Sequence, residues 1–304
     1  MRTIFPRRPA LLIVLIFFVA LTGGALGQAR LKVVSWKVES GDSDPQTLTQ
    51  RVRAFQGADL WGFSKVQGDA VAAALEAAAE HGENANFDRV LGTTRGGDRL
   101  LVVFNSGRFQ KVAHFELSEI NIEGRVRAPL VAHFREAPAG REFLFMVNHL
   151  YRRSPEGRHE QARLLNSWAR AQTLPVVAVG DYNFGWSVTN GDNDHVLGYD
   201  RLTRGGVFAW ARPQTLVRSQ CSFDSVLDFV FTAGGASGWQ GSSEILAVPG
   251  DCPDDAERSD HRPVQAVFTM QDAGSPLPLL LRAQILERLE SLEAEVRRLN
   301  DLVN

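Results

Sequence analysis

The nine residues from Val176 to Phe184, VVAVGDYNF, constrain the fold of this chain more than any other stretch. Three valines and an alanine in a row favour a buried strand. That strand runs without a break into Gly180-Asp181-Tyr182-Asn183. A carboxylate and an amide are thereby delivered to the rim of a sheet, and the rest of the chain supplies elements to surround that rim.

Leu31 to Val38 alternates, setting Lys37 and Glu39 on one face of a strand and Trp36 and Val38 on the other. Asp44-Pro45 opens a helix through Leu48, Val52 and Phe55 that ends at Gly57. A strand at 58–66 precedes an alanine-rich helix over 70–81, stopped by Gly82. Short apolar or alternating runs follow at 89–91, 100–105, 110–115, 128–135 and 142–149, punctuated by Gly, Pro and Asn. A helix over 155–171 leads into the GDYN strand, and two further strands fall at 225–232 and 263–270. Strands and helices in two similar halves imply an α/β fold of two packed sheets with helices outside. With 304 residues, 44% of them hydrophobic, the chain can bury one large core and still carry appendages.

The two ends differ from that domain. Arg2, Arg7 and Arg8 precede an apolar run from Ala10 to Leu21 and the small residues Gly23 to Gly27, the layout of a signal peptide over 1–27. An uncleaved membrane anchor is the rival reading. Cleavage implies export to the periplasm or the medium, with no strong membrane association. It also removes three arginines and no acids, taking the net charge from −2 to −5. A uniformly basic nucleic-acid binder is thereby excluded, while a local basic groove is not. In an exported protein the pair Cys221 and Cys252 implies one disulfide, with two buried thiols as the alternative. After a domain at 28–271 and a linker at 272–278, residues 279–304 place Ile285, Leu289, Leu292, Val296, Leu299 and Val303 at four-three spacing. This is a short coiled-coil pattern suited to homo-oligomerisation, or to a helix packed back on its own domain.

The strand ends carry the polar groups: Asn148-His149, Asp181 with Asn183, Asp228 within SVLDF, and Ser259-Asp260-His261. Two histidines able to pair with carboxylates, plus an Asp/Asn pair, suit hydrolysis of a phosphate ester: one group deprotonates water while others hold phosphoryl oxygens. Singly, each motif is an ordinary turn signal.

In this order GDYN, LDFVF and SDHRPV resemble the endonuclease/exonuclease/phosphatase superfamily, over nearly the whole stretch from Leu31 to Met270. The resemblance implies a four-layer α/β sandwich, two mixed sheets flanked by helices, with the site at one edge of both. It implies that Asp181 orients or deprotonates the attacking water and that Asn183 binds the phosphate. His261 matches the catalytic histidine, Asp228 its carboxylate partner, His149 the second histidine, and Asp260 the acid before the catalytic histidine. Arg127 resembles an arginine near the phosphate. Mg²⁺ or Mn²⁺ is the cofactor such a family implies, with Asp181 and Asp260 among its ligands, and the partner is a phosphate-ester substrate that includes nucleic acid.

Two positions depart from that pattern. Lys37 stands where the family has Asn, and Lys65 where it has a metal-binding Glu. An ammonium has three donors and no lone pair, so it cannot ligate a cation. The chain has 29 arginines and only four lysines, Lys32, Lys37, Lys65 and Lys111. Finding two of those four at facing ligand positions leaves two readings. Either the ammonium groups bind phosphate in place of the metal, or catalysis has been abandoned and the cleft kept for binding. Solvated strand-end lysines are the plainer alternative.

Other features are less specific. Arg95, Arg99, Arg108, Arg152, Arg153, Arg158 and Arg163 line either a polyanion groove or, for the last two, a solvated helix face. Asn190 to Asp194 reads as a turn rather than a Ca²⁺ loop. Phe184, Trp186 and Trp210 either stack on a base or pack the core.

Overall fold

Hydrophobic alternation in the first strand decides how the layers stack. A computed structural model describes residues 29–39, 41–252 and 258–271. The signal peptide at 1–27, the linker at 272–278 and the coil at 279–304 lie outside the described residues. Strand β1 (Ala29–Lys37) sends Leu31 and Val33 into one core and Val34 and Trp36 into another. It is therefore buried on both faces, one toward a second sheet and one toward helices.

Helix α1 (Pro45–Arg53) is capped by Asp44, whose carboxylate accepts from the Thr47 amide at 2.8 Å, with Pro45 at its first position. It crosses to β2 (Leu60–Val66), which lies parallel to β1. Helix α2 (Gly68–Glu83) runs through Gly82 and ends instead at Asn84, whose left-handed φ of 49° makes the cap. The hairpin β3 (Phe87–Leu91) and β4 (Arg99–Asn105) completes this half. Leu48 and Val52 of α1 and Ala72, Leu75 and Ala78 of α2 cover the outer face of these strands against Trp36, Trp61 and Phe63.

The second half repeats the plan. Antiparallel β5 (Phe109–Glu116), β6 (Leu130–Glu136) and β7 (Glu142–His149) lead through α3 (Pro155–Arg170) to β8 (Val176–Ser187), parallel to β7. Helix α4 (Leu197–Thr203) follows, then β9 (Phe208–Trp210), β10 (Ser225–Ala233), β11 (Gln240–Ile245) and β12 (Val264–Met270). One six-stranded sheet has the order β11-β12-β1-β2-β4-β3 and the other β5-β6-β7-β8-β10-β9. Both are mixed, each built round one parallel β-α-β crossover, and with the helices they make the expected four-layer α/β sandwich.

The sheets meet at close range over Gly62. A Cβ built there would lie 2.4 Å from Val179 Cγ2 and 3.0 Å from Val147 Cγ2, so glycine sets the gap between the sheets. Three elements escape the sequence pattern. Edge strand β11 reads QGSSEI and lacks an apolar alternation, β9 has three residues, and α4 has no side-chain N-cap. None of the helices among the described residues is long and apolar enough to cross a membrane.

Candidate active site

Two parallel crossovers, one in each sheet, point their carboxyl ends at the same rim, the place where open α/β sheets present ligand groups. Lys37 ends β1 and Lys65 lies at the end of β2, whereas His149 ends β7 and Asp181 follows Gly180 on β8. Because Val147 and Val179 face Gly62, the period of two puts His149 and Asp181 on the same inner face. Asp228 of β10 is registered directly opposite Asp181. His261 precedes β12 and pairs with Gln220, and its carbonyl, accepting from the Trp36 indole at 2.9 Å, lies beside the end of β1. The sandwich thus converges groups from five strand ends and one loop.

Gly180 makes the approach possible. It adopts φ +139°, and a Cβ there would sit 2.0 Å from the Asn148 carbonyl oxygen on the neighbouring strand. Only glycine fits.

Lys37 is buried at 3% exposure, which removes the solvated-edge reading. Its Nζ lies 3.2 Å from Glu39 Oε1, 3.5 Å from Asp260 Oδ1 and 3.7 Å from Asp181 Oδ2. Burial works against its charge, but Asp181, Glu39 and Asp260 outweigh it and hold the ammonium above the ordinary lysine pKa. Lys65 would share the outer face with Trp61 and Phe63 if alternation continued. A break in register between Phe63 and Val66 and a φ of +58° turn it out of sequence, and its Nζ meets Glu39 Oε1 at 2.5 Å at the rim. Glu39, itself at φ +49°, is the anion shared by both lysines. Burial and a hydrogen bond with Glu39 raise Asp260. That same bond, with Lys37 and Lys65, overcomes burial and pulls Glu39 well below the usual carboxylate range.

His261 Nδ1 and Asp228 Oδ2 are 2.6 Å apart, and Ser219 Oγ donates to the same carboxylate oxygen at 2.7 Å. Burial pushes Asp228 up to about 7, and burial with the nearby Lys37 pushes His261 down to about 4, so the dyad shares one proton between those values. Its outer nitrogen, Nε2, is 3.9 Å from Asp181 Oδ2 and 3.6 Å from Asp260 Oδ1. His149 Nε2 stands 3.6 Å from the same oxygen of Asp181. Burial, reinforced by Arg127 and Lys37, keeps His149 neutral, while burial raises Asp181 against the pull of His261 and Lys37. Buried Nδ1 of His149 and Oδ1 of Asp228 have no hydrogen-bond partner among the described residues. Such orphans gather where a ligand is meant to complete the set.

Asn183 and Arg127 hold the walls. Asn183, at φ +51°, donates its backbone N–H to Asp181 Oδ1 at 3.0 Å and its side-chain amide to Leu150 O at 3.0 Å. Arg127 donates to Asp98 through Nε at 2.6 Å to the carbonyl and Nη2 at 2.7 Å to the carboxylate, while its guanidinium faces a cleft shared with His149 and Lys65.

The site does not fit a divalent cation. Ligand atoms of Asp181, Asp228 and His261 lie within 4.8 Å of one another. Yet Asp228 Oδ2 is committed to His261 and Ser219, and the Lys37 ammonium already stands beside Asp181 and Asp260, the ligands the resemblance implies.

Sequence reading missed several supports. Ser219 and Gln220 orient Asp228 and Asp260, Gln220 Nε2 donating to Asp260 Oδ2 at 2.8 Å, and carry no signal beyond their place before Cys221. Cys221 and Cys252 do form a disulfide next to that segment. Arg158 is buried rather than solvated, donating to the carbonyls of Tyr151 at 2.8 Å and Arg152 at 3.1 Å, whereas Arg163 pairs with Glu160 on an exposed helix face. Arg99 donates to the Gly96 carbonyl, and Arg108 serves Glu136 and Asp59 away from the cleft. Phe184 and Trp186 are core residues, and Arg212 stacks 5.4 Å above both Trp186 and Trp210. Asn190 to Asp194 is a turn.

No protein-family model matches the chain, and no curated protein matches it significantly. Solved structures share its fold at low identity. It is similar to an endonuclease/exonuclease/phosphatase family protein from Bacteroides thetaiotaomicron at 18% identity and TM-score 0.60, over 80% of this chain and 98% of that one. A mannosyl-6-phosphatase from the same organism matches at 18% identity and TM-score 0.57, over 79% and 100%. The TDP2 of D. rerio, solved with a single-strand DNA product, matches at 15% identity and TM-score 0.60, over 80% and 100%. The chain has the endonuclease/exonuclease/phosphatase fold.

Proposed function

We propose that the protein is an exported phosphoester hydrolase, nuclease-like in preferring diesters, in which the ammonium of Lys37 replaces the divalent ion. The observation that carries this reading is the meeting of Asp181, His149 and the Asp228–His261 dyad round Lys37 at the rim of both sheets. Asp181 accepts the proton of the attacking water, its raised pKa bringing it toward the working pH. His149 and His261 present Nε2 to the phosphoryl oxygens, and Lys37 neutralises the charge that builds there. As the P–O bond to the leaving group breaks, the proton held by the Asp228–His261 dyad passes to the departing oxygen. A mannosyl-6-phosphatase and a TDP2 solved with a DNA product, both of the same fold, agree with phosphoester chemistry. The disulfide agrees with export.

A second reading has its own observation. Three carboxylates already compensate Lys37, leaving less charge for a phosphate, as in a cleft retained only for binding. Incubation of the mature protein with DNA, RNA and bis(p-nitrophenyl) phosphate, with Mg²⁺, Mn²⁺ or EDTA, decides between the two. Turnover that persists in EDTA is the expected result, and absence of turnover on every substrate establishes the binding reading.

A further inference from the structure

Arginines elsewhere on this molecule are largely spoken for. Arg51 pairs with Asp251, Arg89 with Glu76, Arg108 with Glu136, Arg141 with Glu136, and Arg212 with Asp192. Against that pattern, Arg95, Arg152 and Arg153 have no carboxylate partner among the described residues, and all three line one cleft of about 590 Å³. Its floor is Lys65, Arg127 and His149, and Asp98, the acid on its wall, is bound to Arg127. The cleft is thus an extension of the candidate active site with a surplus of positive charge.

Both of its walls are built rather than loose. Segment 150–153 is pinned from below: Arg158 holds the carbonyls of Tyr151 and Arg152, and Asn183 holds that of Leu150. Gln161 Oε1 accepts from the Tyr151 amide at 2.8 Å. Arg158 is nine-tenths buried and, among the described residues, has no carboxylate within ion-pair distance and no hydrogen-bond partner for Nε, so it is a costly strut. Arg152 borders both this cleft and the cavity over Lys37 and His261. On the opposite wall, Glu116 accepts from Thr93 and Thr94, and Thr94 Oγ1 accepts from the Ala128 amide at 3.1 Å. Arg95, which lines the cleft, is held at φ +74°, and Glu123, next to the lining residue Gly124, at φ +52°. Left-handed non-glycine residues cost energy and persist where the surroundings hold them, often at ligand sites.

We infer that this cleft is a subsite for a second phosphate, adjoining the one hydrolysed over Lys37, and that the substrate carries two phosphates in sequence. The inference rests on the hydrolase reading and narrows it to a substrate class. Guanidinium groups match phosphate oxygens in paired hydrogen bonds, and those of Arg95, Arg152 and Arg153 are not used up by protein carboxylates. The volume suits one phosphorylated sugar or nucleotide unit. A 5′-phosphorylated oligonucleotide end and a small sugar bisphosphate share this pair of phosphates, and only the first also offers the diester that the hydrolase reading prefers.

Calorimetric titration tests it independently of turnover. At fixed ionic strength and pH 7, with no divalent ion, tripolyphosphate should bind the protein about tenfold or more tighter than inorganic phosphate. The paired substitution Arg95→Ala with Arg153→Ala should bring that ratio to about threefold or less, because two of its guanidinium contacts are gone. Arg53→Ala with Arg170→Ala, an equal charge change on exposed helix ends, should leave the ratio as it was. A wild-type ratio near one overturns the subsite, as does an equal response to both pairs, which would mean only general attraction between opposite charges. A 5′-phosphorylated dinucleotide and a sugar bisphosphate then serve as parallel arms. Tight, Arg95- and Arg153-dependent binding of either one supports the inference and identifies the source, and failure of both defeats it. Should no substrate turn over, the hydrolase reading falls while this ratio still reports on the subsite.

Discussion

A lysine enclosed by three carboxylates is a fixed counter-ion, and its removal is not equivalent to trimming a surface charge. Lys37→Met would leave Glu39, Asp181 and Asp260 facing one another out of water. Breaking such buried pairs typically costs about 3–5 kcal/mol. Urea denaturation at pH 7 should show a loss of that order, shrinking toward pH 4 as the carboxylates take up protons, and hydrolysis should vanish. Stability equal to the parent would show that Lys37 balances nothing. The Asp228–His261 dyad makes a second prediction at this scale. Asp228 is raised from 3.8 to about 7, so its contribution to stability is complete below pH 3.8 and lost as the pH rises through 7. His261 is lowered from 6.5 to about 4, so its contribution is complete above pH 6.5 and lost as the pH falls through 4. The shared proton is present between those limits. A profile of kcat/KM against pH should therefore fall below about 4 and above about 7, and Asp228→Asn should abolish the upper limb. A profile that keeps its upper limb in Asp228→Asn assigns that limb to another group.

Strands place these residues more exactly than loops could, and Gly180 shows how narrow the tolerance is. Gly180→Ala would drive a methyl group into the Asn148 carbonyl and force a left-handed backbone on alanine. Strain and overpacking together should cost about 3 kcal/mol or more. Circular dichroism melting of Gly180→Ala is expected to show that loss, and an unchanged melting temperature would mean that β7 and β8 are less tightly apposed. At this scale the sequence was a good guide where burial writes itself into composition. The valine run of β8, the alanines of α2 and the Asp44-Pro45 cap all form the elements their chemistry favours. It was a poor guide where burial is one-sided or absent, as in β11, or where a bulge suspends alternation, as at Lys65. Lys37 was legible as an anomaly, but its surroundings were not, because Asp260 and Asp181 reach it from more than 140 positions away in the chain. Arg158 could not be told from Arg163 by spacing alone, since both sit in one helix and only the pinned 150–153 segment decides which is buried.

The molecule as a whole is two half-sandwiches joined by packing, and each contributes one side of the site. Lys37, Glu39 and Lys65 belong to the sheet of β1 and β2, whereas His149, Asp181 and Asp228 belong to that of β7, β8 and β10. The His261 segment bridges them, adjoining β1 through the Trp36 indole, which donates to the His261 carbonyl at 2.9 Å, and β10 through Asp228. The fold shared with phosphoester-cleaving proteins is therefore compatible with a different charge arrangement at its rim, because the cationic and the proton-handling groups ride on separate sheets. Gly62 then acquires a significance beyond its own van der Waals contacts. As the spacer between the sheets, it works like the pivot of a pair of callipers: a fraction of an ångström added there is carried along stiff strands to the jaws, where Lys37 faces Asp181. A methyl group far from any reacting atom would detune the chemistry, and the hydrophobic interior is in that sense the instrument's calibration.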